Sequence, residues 1–473
     1  MFERRLPVGY EAAKSVSPQA AWHVPCVPVG QAEYRKGVVM RSRTTLVCLL
    51  AAAVATWTGS PGVVRAEEAA AGEAAPPPDP TRGQWDSFLD PLRDFEDNGI
   101  TGTQKQVEDA TKFHVGAGLT EAYTWDFNNP RSGSLIAGHS LEHHNDGVPA
   151  IGQLAVSRPS EGWFIPGMGL KLDAGKVARD VKADWNGNGA VKHGDTFETN
   201  DFEVQEAYLT WAVPDDGPSF LKGLTLKGGK FVTLLGAEVI EPWSNYNYSR
   251  SYLFSFAIPF THTGALVSYP ISEKLSVTAG PIEGWDEVQS NNRGWSGIGN
   301  LTYTVNDKVT LAANGIWGPT QTNKTGNKRG VADFVATVKP TSALTLLLNY
   351  DWGHEDAAAA GNEAALWQGF AAVANYAFTD RASAAVRGEW FEDHGGTRTG
   401  VAQSLYEATV TGKYLITQHL YGQVEYRHDE SAKGNFFPAD SPGTVNGPTG
   451  PNPITKFTSG QDILGLAVTY IFN

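Results

Sequence analysis

From residue 112 to the end of the chain, apolar and polar residues alternate in runs of about ten, and the runs come in pairs. The last run is the clearest. In Asp462–Phe472, Leu464, Leu466, Val468, Tyr470 and Phe472 fall on one face, and Gly465, Ala467 and Thr469 fall on the other. Tight turns join such runs. Ser272-Glu273-Lys274, Asn306-Asp307-Lys308 and Thr379-Asp380-Arg381 repeat one polar–acid–base pattern, and 340–343 and 417–419 continue the series, one turn about every 34 to 39 residues. Longer loops rich in Gly, Asn and acid alternate with these turns, at 286–294, 318–329, 354–364 and 393–402. Short turn, strand, long loop, strand describes an up-and-down antiparallel barrel with one rim in the periplasm and the other outside. A similar period occurs in helix-pair repeats, but the Gly, Thr and Asn content and the period of two within each run argue against helices.

The pattern therefore predicts an all-β chain: a transmembrane antiparallel up-and-down β-barrel of about 16 strands, within a range of about 14–18. The predicted strands are 112–126, 149–158, 166–175, 202–213, 223–235, 260–271, 275–285, 296–305, 309–317, 330–339, 344–353, 365–378, 382–392, 403–416, 420–428 and 461–472. An even number returns both ends to the periplasmic side, and 112–473 reads as one domain around an aqueous lumen. A soluble sandwich alternates comparably, so the aromatics decide. Rising strands end in Trp125, Trp285, Trp317, Trp352, Trp390 and Tyr426, and falling strands end in Tyr269, Tyr303, Tyr376, Tyr414 and Tyr470. Two aromatic bands at opposite rims match the girdles of the two membrane interfaces, so outer-membrane lipid is the expected surrounding.

Residues 1–39 have the character of neither a domain nor a signal and read as a mis-annotated upstream extension. Residues 40–66 read as a signal peptide: Met40-Arg41-Ser42-Arg43, an apolar run 46–57, and Val64-Arg65-Ala66 as a small-residue cleavage site. Residues 67–111 read as a disordered or periplasmic segment with a short helix around 85–95 and a polar connector, as a tail rather than a plug. Both cysteines, Cys26 and Cys48, precede residue 67, which excludes disulfides, thiolate metal sites, covalent haem and a cysteine nucleophile from the remainder. That remainder holds 29 Lys+Arg against 48 Asp+Glu, a formal charge of −19, which argues against nucleic acid as a partner. The mean hydropathy of −0.28 is no objection to a membrane barrel, in which only every second residue must be apolar.

Several blocks carry a family resemblance. Phe113-His114-Val115-Gly116 with Ala122-Tyr123-Thr124-Trp125-Asp126-Phe127-Asn128-Asn129-Pro130 forms the opening, and a second block runs from Gly229-Lys230-Phe231-Val232 to Glu238-Val239-Ile240. The strongest is Asn247-Tyr248-Ser249-Arg250-Ser251-Tyr252-Leu253-Phe254, followed by Pro259-Phe260-Thr261-His262-Thr263-Gly264. From about residue 110 onward the chain resembles the OmpL-like family of outer-membrane β-barrel porins. The resemblance implies an outer-membrane location and a pore for small hydrophilic solutes or ions; the family's substrates are mostly unassigned. Asn473 departs from the aromatic that usually ends such barrels and leaves Phe472 penultimate. Porins of this strand number often associate, so a homotrimer is an expectation that no particular residue carries.

Candidate site residues follow from the alternation. Arg387 and Glu389, Glu407 and Lys413, and Glu425 and Arg427 fall on inward faces of three successive strands. On the lipid face an Arg or Lys would cost about 2–4 kcal/mol at the midplane. These rows either keep the lumen wet or sort solutes by charge. Segment 237–259, the third outer loop, is too aromatic for water, with Trp243, Tyr246, Tyr248, Tyr252, Phe254 and Phe256. It is expected to fold inward and narrow the pore, presenting Glu238, Glu241 and Arg250 beside Lys230 and His262; capping the rim or packing at a subunit contact is the alternative. Asp184, Asn186, Asn188 and Asp195 have the spacing of a calcium loop, with Gly189 at its sixth position, though the stretch also reads as an ordinary Gly/Asn-rich loop. No cofactor is required. A hydrolase would draw on His143, His144 and Asp146 or on His428-Asp429-Glu430, none with a recognisable nucleophile, so the chain does not read as an enzyme. A barrel that docks a partner protein is the remaining alternative class.

Overall fold

In the computed structural model, the structure describes residues 102–130, 146–185, 201–214, 216–439, 444–447, 450–453 and 456–472, together with Leu92, Arg93 and Glu96. The segments read as a signal peptide and an upstream extension, His143, His144 and three of the four residues with calcium-loop spacing (Asn186, Asn188 and Asp195) lie outside them.

Sixteen strands close into one antiparallel barrel. In chain order they are β1 (His114–Asp126), β2 (Asp146–Arg158), β3 (Gly167–Ala174), β4 (Phe202–Ala212), β5 (Thr225–Val232), β6 (Thr261–Pro270), β7 (Leu275–Ile282) and β8 (Ser296–Asn306). There follow β9 (Val309–Gln321), β10 (Lys324–Val338), β11 (Leu344–Glu355), β12 (Ala365–Ala377), β13 (Ala382–Asp393), β14 (Gln403–Leu415) and β15 (Leu420–Ser431). Four short strands, β16 (Phe437–Ala439), β17 (Thr444–Gly447), β18 (Gly450–Pro453) and β19 (Lys456–Thr458), form two small ladders in the last outer loop, and β20 (Gly460–Phe472) completes the wall. Every barrel strand lies where the alternation predicts it. The seam is a regular ladder from Ala117–Phe472 to Asp126–Ile463 between β1 and β20.

The burial pattern of the strands has the period of the sequence. On β14 and β20 alternate residues are buried and exposed, with Val410, Leu464, Leu466 and Val468 among those turned out. An upper band of exposed Trp317, Trp352, Tyr406 and Tyr426 and a lower band of exposed Tyr303, Tyr376, Phe378 and Tyr414 flank that apolar surface, as interfacial girdles require. Among the described residues no helix is long and apolar enough to cross a membrane.

Three readings are corrected. Residues 318–329 are not an open loop: β9 and β10 run on and pair as far as Gln321–Lys324, and Asn323 turns the chain at φ 61°, a conformation Asn tolerates. Trp285 is not a girdle residue; it lies inside, between the guanidinium of Arg329 at 4.8 Å and that of Arg398 at 5.1 Å. The polar connector contains a helix, α1 (Gly102–Thr111), whose GTQKQVEDAT has good helix formers but no apolar stripe to reveal it. The tripeptide His428-Asp429-Glu430 is split by the pleat: His428 turns out to Asp462 (2.8 Å), whereas Asp429 turns in to Arg427 and Gln461.

On the periplasmic side the N-terminal segment reaches the turn after β14. Arg93 donates to the Ile416 carbonyl (3.4 Å), and Thr417 donates to the buried Glu96 carboxylate (2.9 Å). Outside, the loop after β3 carries α2 (Lys176–Asp180) and pairs Asp184 with Glu287 of the loop after β7.

Candidate pore constriction

The third outer loop, 233–260, joins β5 to β6. Tyr248, Tyr252, Leu253, Phe254, Phe256 and Ile258 of this loop are buried, Trp243 and Tyr246 are half-buried, and Val239 is exposed. Tyr252 stacks on Phe256 (6.0 Å), Phe256 on Phe391 of β13 (5.8 Å), and Leu253 lies over Gly369 of β12, where any side chain would collide with it. Inside a barrel this packing is possible only if the loop's backbone donors find acceptors, because each orphaned N–H costs about 1–3 kcal/mol.

The wall supplies those acceptors. Glu389 of β13 accepts from the N–H groups of Tyr252 and Leu253, both at 2.6 Å. Glu425 of β15 accepts from those of Tyr248 (2.7 Å) and Ser249 (2.9 Å), and from the Thr411 hydroxyl (2.6 Å). Asp333 of β10 takes the Gly236 N–H (2.9 Å), and Asn349 of β11 takes that of Ala237 (3.0 Å). The arginines hold the loop's carbonyls. Arg387 donates to the Ser249 carbonyl and to Glu238, both at 2.7 Å, while its Nε pairs with Glu407 (2.8 Å). Arg427 donates to the Arg250 carbonyl (2.7 Å) and to Asp429, which also receives the Tyr252 hydroxyl. Arg250 folds back on its own loop, donating to Val239, Ile240 and Tyr248 carbonyls.

The loop also reaches the opposite wall. Lys171 of β3 donates to Glu241 (2.8 Å) and pairs with Glu206 of β4 (3.0 Å), Gln153 of β2 donates to Glu241 (3.2 Å), and the Trp243 ring covers Gly118 of β1. A bulge sets up this side. The β3–β4 register slips beside Lys171, leaving Gln205 unpaired in the ladder, and Gln205 and Glu206, though adjacent, are both buried, with Gln205 accepting from Gln153 and Glu206 pairing with Lys171.

Of the sequence candidates, Glu238, Glu241, Arg250, Arg387, Glu389, Glu407, Glu425 and Arg427 meet in this network. Three do not. Lys230 is turned to Glu203 (2.6 Å) and the Val204 carbonyl on β4. His262 is fully buried between the Gly284 carbonyl (2.8 Å) and the Thr233 hydroxyl (3.1 Å), a structural role. Lys413 lies two positions along β14 from Thr411, its ammonium 3.7 Å from the centre of the Tyr421 ring. Of the calcium-loop residues only Asp184 is described, and its backbone is taken up by Asp286 and Val288. Asp333, Asn349, Lys171, Gln153 and Asp429 were missed, although their inward alternation was as readable as that of Glu425.

Electrostatics differ along the outer loops. Burial pushes the Glu238 carboxyl up, but Arg387, the Ser251 N–H and Arg250 outweigh it and leave the group below the usual carboxylate range. Glu241 is likewise lowered, Lys171 overcoming burial. After β7 the balance reverses. Burial raises Asp286 to about 6 despite the N–H groups of Thr261 and Phe260, and burial with Asp184 nearby raises Glu287 to about 8.

A closed sixteen-stranded transmembrane barrel with aromatic girdles and a charged, loop-filled interior defines the porin class of outer-membrane proteins. The family model described as "Putative beta-barrel porin-2, OmpL-like" matches residues 112–472, and the chain belongs to that family. It is an outer-membrane protein. No curated protein sequence matches it. Among solved structures it is similar to the anion-selective porin from Comamonas acidovorans (10% identity, 76% of this chain and 99% of that one, TM-score 0.47). It is also similar to the outer membrane channel DcaP of Acinetobacter baumannii (9%, 76% and 97%, 0.47) and to OmpT of Vibrio cholerae (12%, 76% and 97%, 0.45). At these identities and scores the three carry no functional inference.

Proposed function

We propose that the protein is a passive diffusion porin whose lumen is narrowed by the third outer loop. The observation that carries this reading is the burial of 233–260 against the inner wall through charge-assisted hydrogen bonds to Glu389, Glu425, Arg387 and Arg427. The solute path runs on the side the loop leaves uncovered. There β6 to β9 turn Ser268, Thr278, Asn300, Thr302 and Thr310 inward, all partly exposed and none charged. Hydroxyls and amides replace hydration for small neutral hydrophilic solutes and for ions of either sign. The wall charges opposite are engaged in holding the loop, so the pore discriminates weakly between cations and anions. Self-association into a homotrimer belongs to the same reading.

The test is single-channel conductance of the purified protein in a planar bilayer, with the reversal potential in a salt gradient. Open steps with a reversal potential near zero are expected. A folded barrel that stays silent would replace the diffusion pore with a plugged or partner-docking barrel.

A further inference from the structure

Inside the barrel, arginines spend their terminal nitrogens on protein acceptors. Arg250, Arg387 and Arg427 each give an Nη to a third-loop carbonyl, and Arg329 pairs its Nη2 with Glu355 (2.6 Å). Arg398, in the outer loop between β13 and β14, does not. Its Nε donates to the Phe256 carbonyl (2.6 Å), but neither Nη has a hydrogen-bond or ion-pair partner among the described residues. The acids around it are committed elsewhere: Glu355 to Arg329, Asp286 to the N–H groups of Phe260 and Thr261, and Asp393 to those of Thr397, Arg398 and Thr399. Burial and the like charge of Arg329 lower this guanidinium to about 10, so it stays charged at neutral pH but under-compensated.

The unused end of Arg398 sits in a built recess. Its guanidinium carbon lies 5.1 Å from the centre of the Trp285 ring and 5.2 Å from that of Trp367, and the two rings meet edge to face at 6.4 Å. Trp367 is fully buried and fixed: its indole N–H donates to the Ala257 carbonyl (3.2 Å), and its ring lies across Gly353, where any side chain would collide with it. Trp285 is partly exposed, and its indole N–H has no partner among the described residues. Trp285 follows β7, Trp367 opens β12 and Arg398 follows β13, so all three lie at the outer ends of their strands. Because β7 belongs to the uncovered side of the lumen, the recess borders the outer entrance of the solute path.

We propose that Arg398 and Trp285 form a subsite for the carboxylate group of small organic anions at the outer mouth of the pore. The two Nη atoms present a planar fork that a carboxylate meets with both oxygens, and the Trp285 indole N–H donates to one of them. The rings shield these bonds from water, which strengthens them, and chloride, a single round acceptor, gains less. Small ions that carry the bulk current pass the recess without dwelling, so the reversal potential stays near zero. The subsite rests on the diffusion pore of the proposed function and names the solute class that pore favours.

The test is single-channel recording in potassium chloride with benzoate added at the outer mouth and benzamide as the uncharged control, paired with calorimetric titration of the same protein in detergent. Brief, concentration-dependent interruptions by benzoate and none by benzamide are expected. Arg398→Gln, which keeps a polar side chain without the charge, should weaken binding about ten-fold or more, and Arg398→Lys, which keeps the charge without the fork, should fall between. Trp285→Phe, which loses only the indole N–H, should weaken it several-fold. Heat-modifiable migration confirms that each variant is folded. Benzoate binding unchanged in Arg398→Gln, or matched by inorganic phosphate, would overturn the subsite. Open channels with neither interruptions nor calorimetric binding would overturn it too and leave the pore standing. In a folded but silent barrel, binding that Arg398→Gln abolishes would keep the subsite without the pore, and no binding would overturn both.

Discussion

Glu425→Ala removes one anchor of the third loop, and its effect can be worked from the geometry. The carboxylate accepts two loop N–H groups at 2.7 and 2.9 Å and the Thr411 hydroxyl, in a site 4% exposed to solvent. Each orphaned buried donor costs about 1–3 kcal/mol, so the two N–H groups together cost about 2–6 kcal/mol. Removing a buried acid also relieves its desolvation, which favours the lower end. The remaining anchors at Glu389, Arg387 and Asp333 keep the loop inside, so the loss appears as local opening and the barrel stays closed. At about 1.4 kcal/mol per tenfold, amide exchange at Tyr248 and Ser249 should accelerate by about thirty-fold or more, with exchange in β14 and β15 unchanged. Single-channel conductance should rise and become noisier, and Glu425→Gln, which keeps an acceptor oxygen, should fall between. Unchanged exchange at Tyr248 and Ser249 in a folded barrel would refute the view that wall carboxylates hold this loop.

Other outcomes follow from the same contacts. Arg387→Met leaves Glu407 and Glu238 buried without their shared cation and should destabilise the barrel by about 3–5 kcal/mol, read as earlier heat-modifiable unfolding. Leu466→Arg, on the lipid face at the middle of β20, should cost about 2–4 kcal/mol, whereas Thr310→Arg, facing inward on β9, should fold normally and shift the reversal potential toward anions. Glu238 and Glu241 are lowered in the folded state, so their contribution is complete above the ordinary carboxylate value and is lost as pH falls through their folded values. Loop exchange should therefore accelerate in acid and not in base. Asp286 and Glu287 are raised, so the opposite holds after β7. Stability present at low pH is lost as pH rises through about 6 and about 8, and amide exchange in 283–295 should accelerate across that window.

The barrel was legible because its physics is local. One face must be oily and the other wet, so Leu464, Leu466 and Val468 identify β20 without reference to any partner strand. The girdles were legible for the same reason, except at Trp285, whose place between Arg329 and Arg398 depends on two residues far away in sequence. The loop's inward fold was foreshadowed by aromatics that water would not hold. Its attachment was not, because alternation shows that Glu389 and Glu425 face inward but says nothing of which backbone amides meet them. Lys230 and His262 failed as site candidates on that same ground: their partners, Glu203 and the Gly284 carbonyl, come from other strands and loops.

The attachment of the third loop also dictates an order of assembly. The loop emerges after β5, yet Tyr248 is held by a residue 177 positions later and Leu253 by one 136 positions later. During synthesis and insertion Glu241 can reach Lys171 and Gln153 at once, but the amides of Tyr248, Ser249, Tyr252 and Leu253 have no wall acceptor until β13 and β15 exist. Closing so long a span costs entropy that only the finished wall repays. The seating of residues 248–253 is thus a late event of folding, completed by the finished wall rather than by any part of the chain alone.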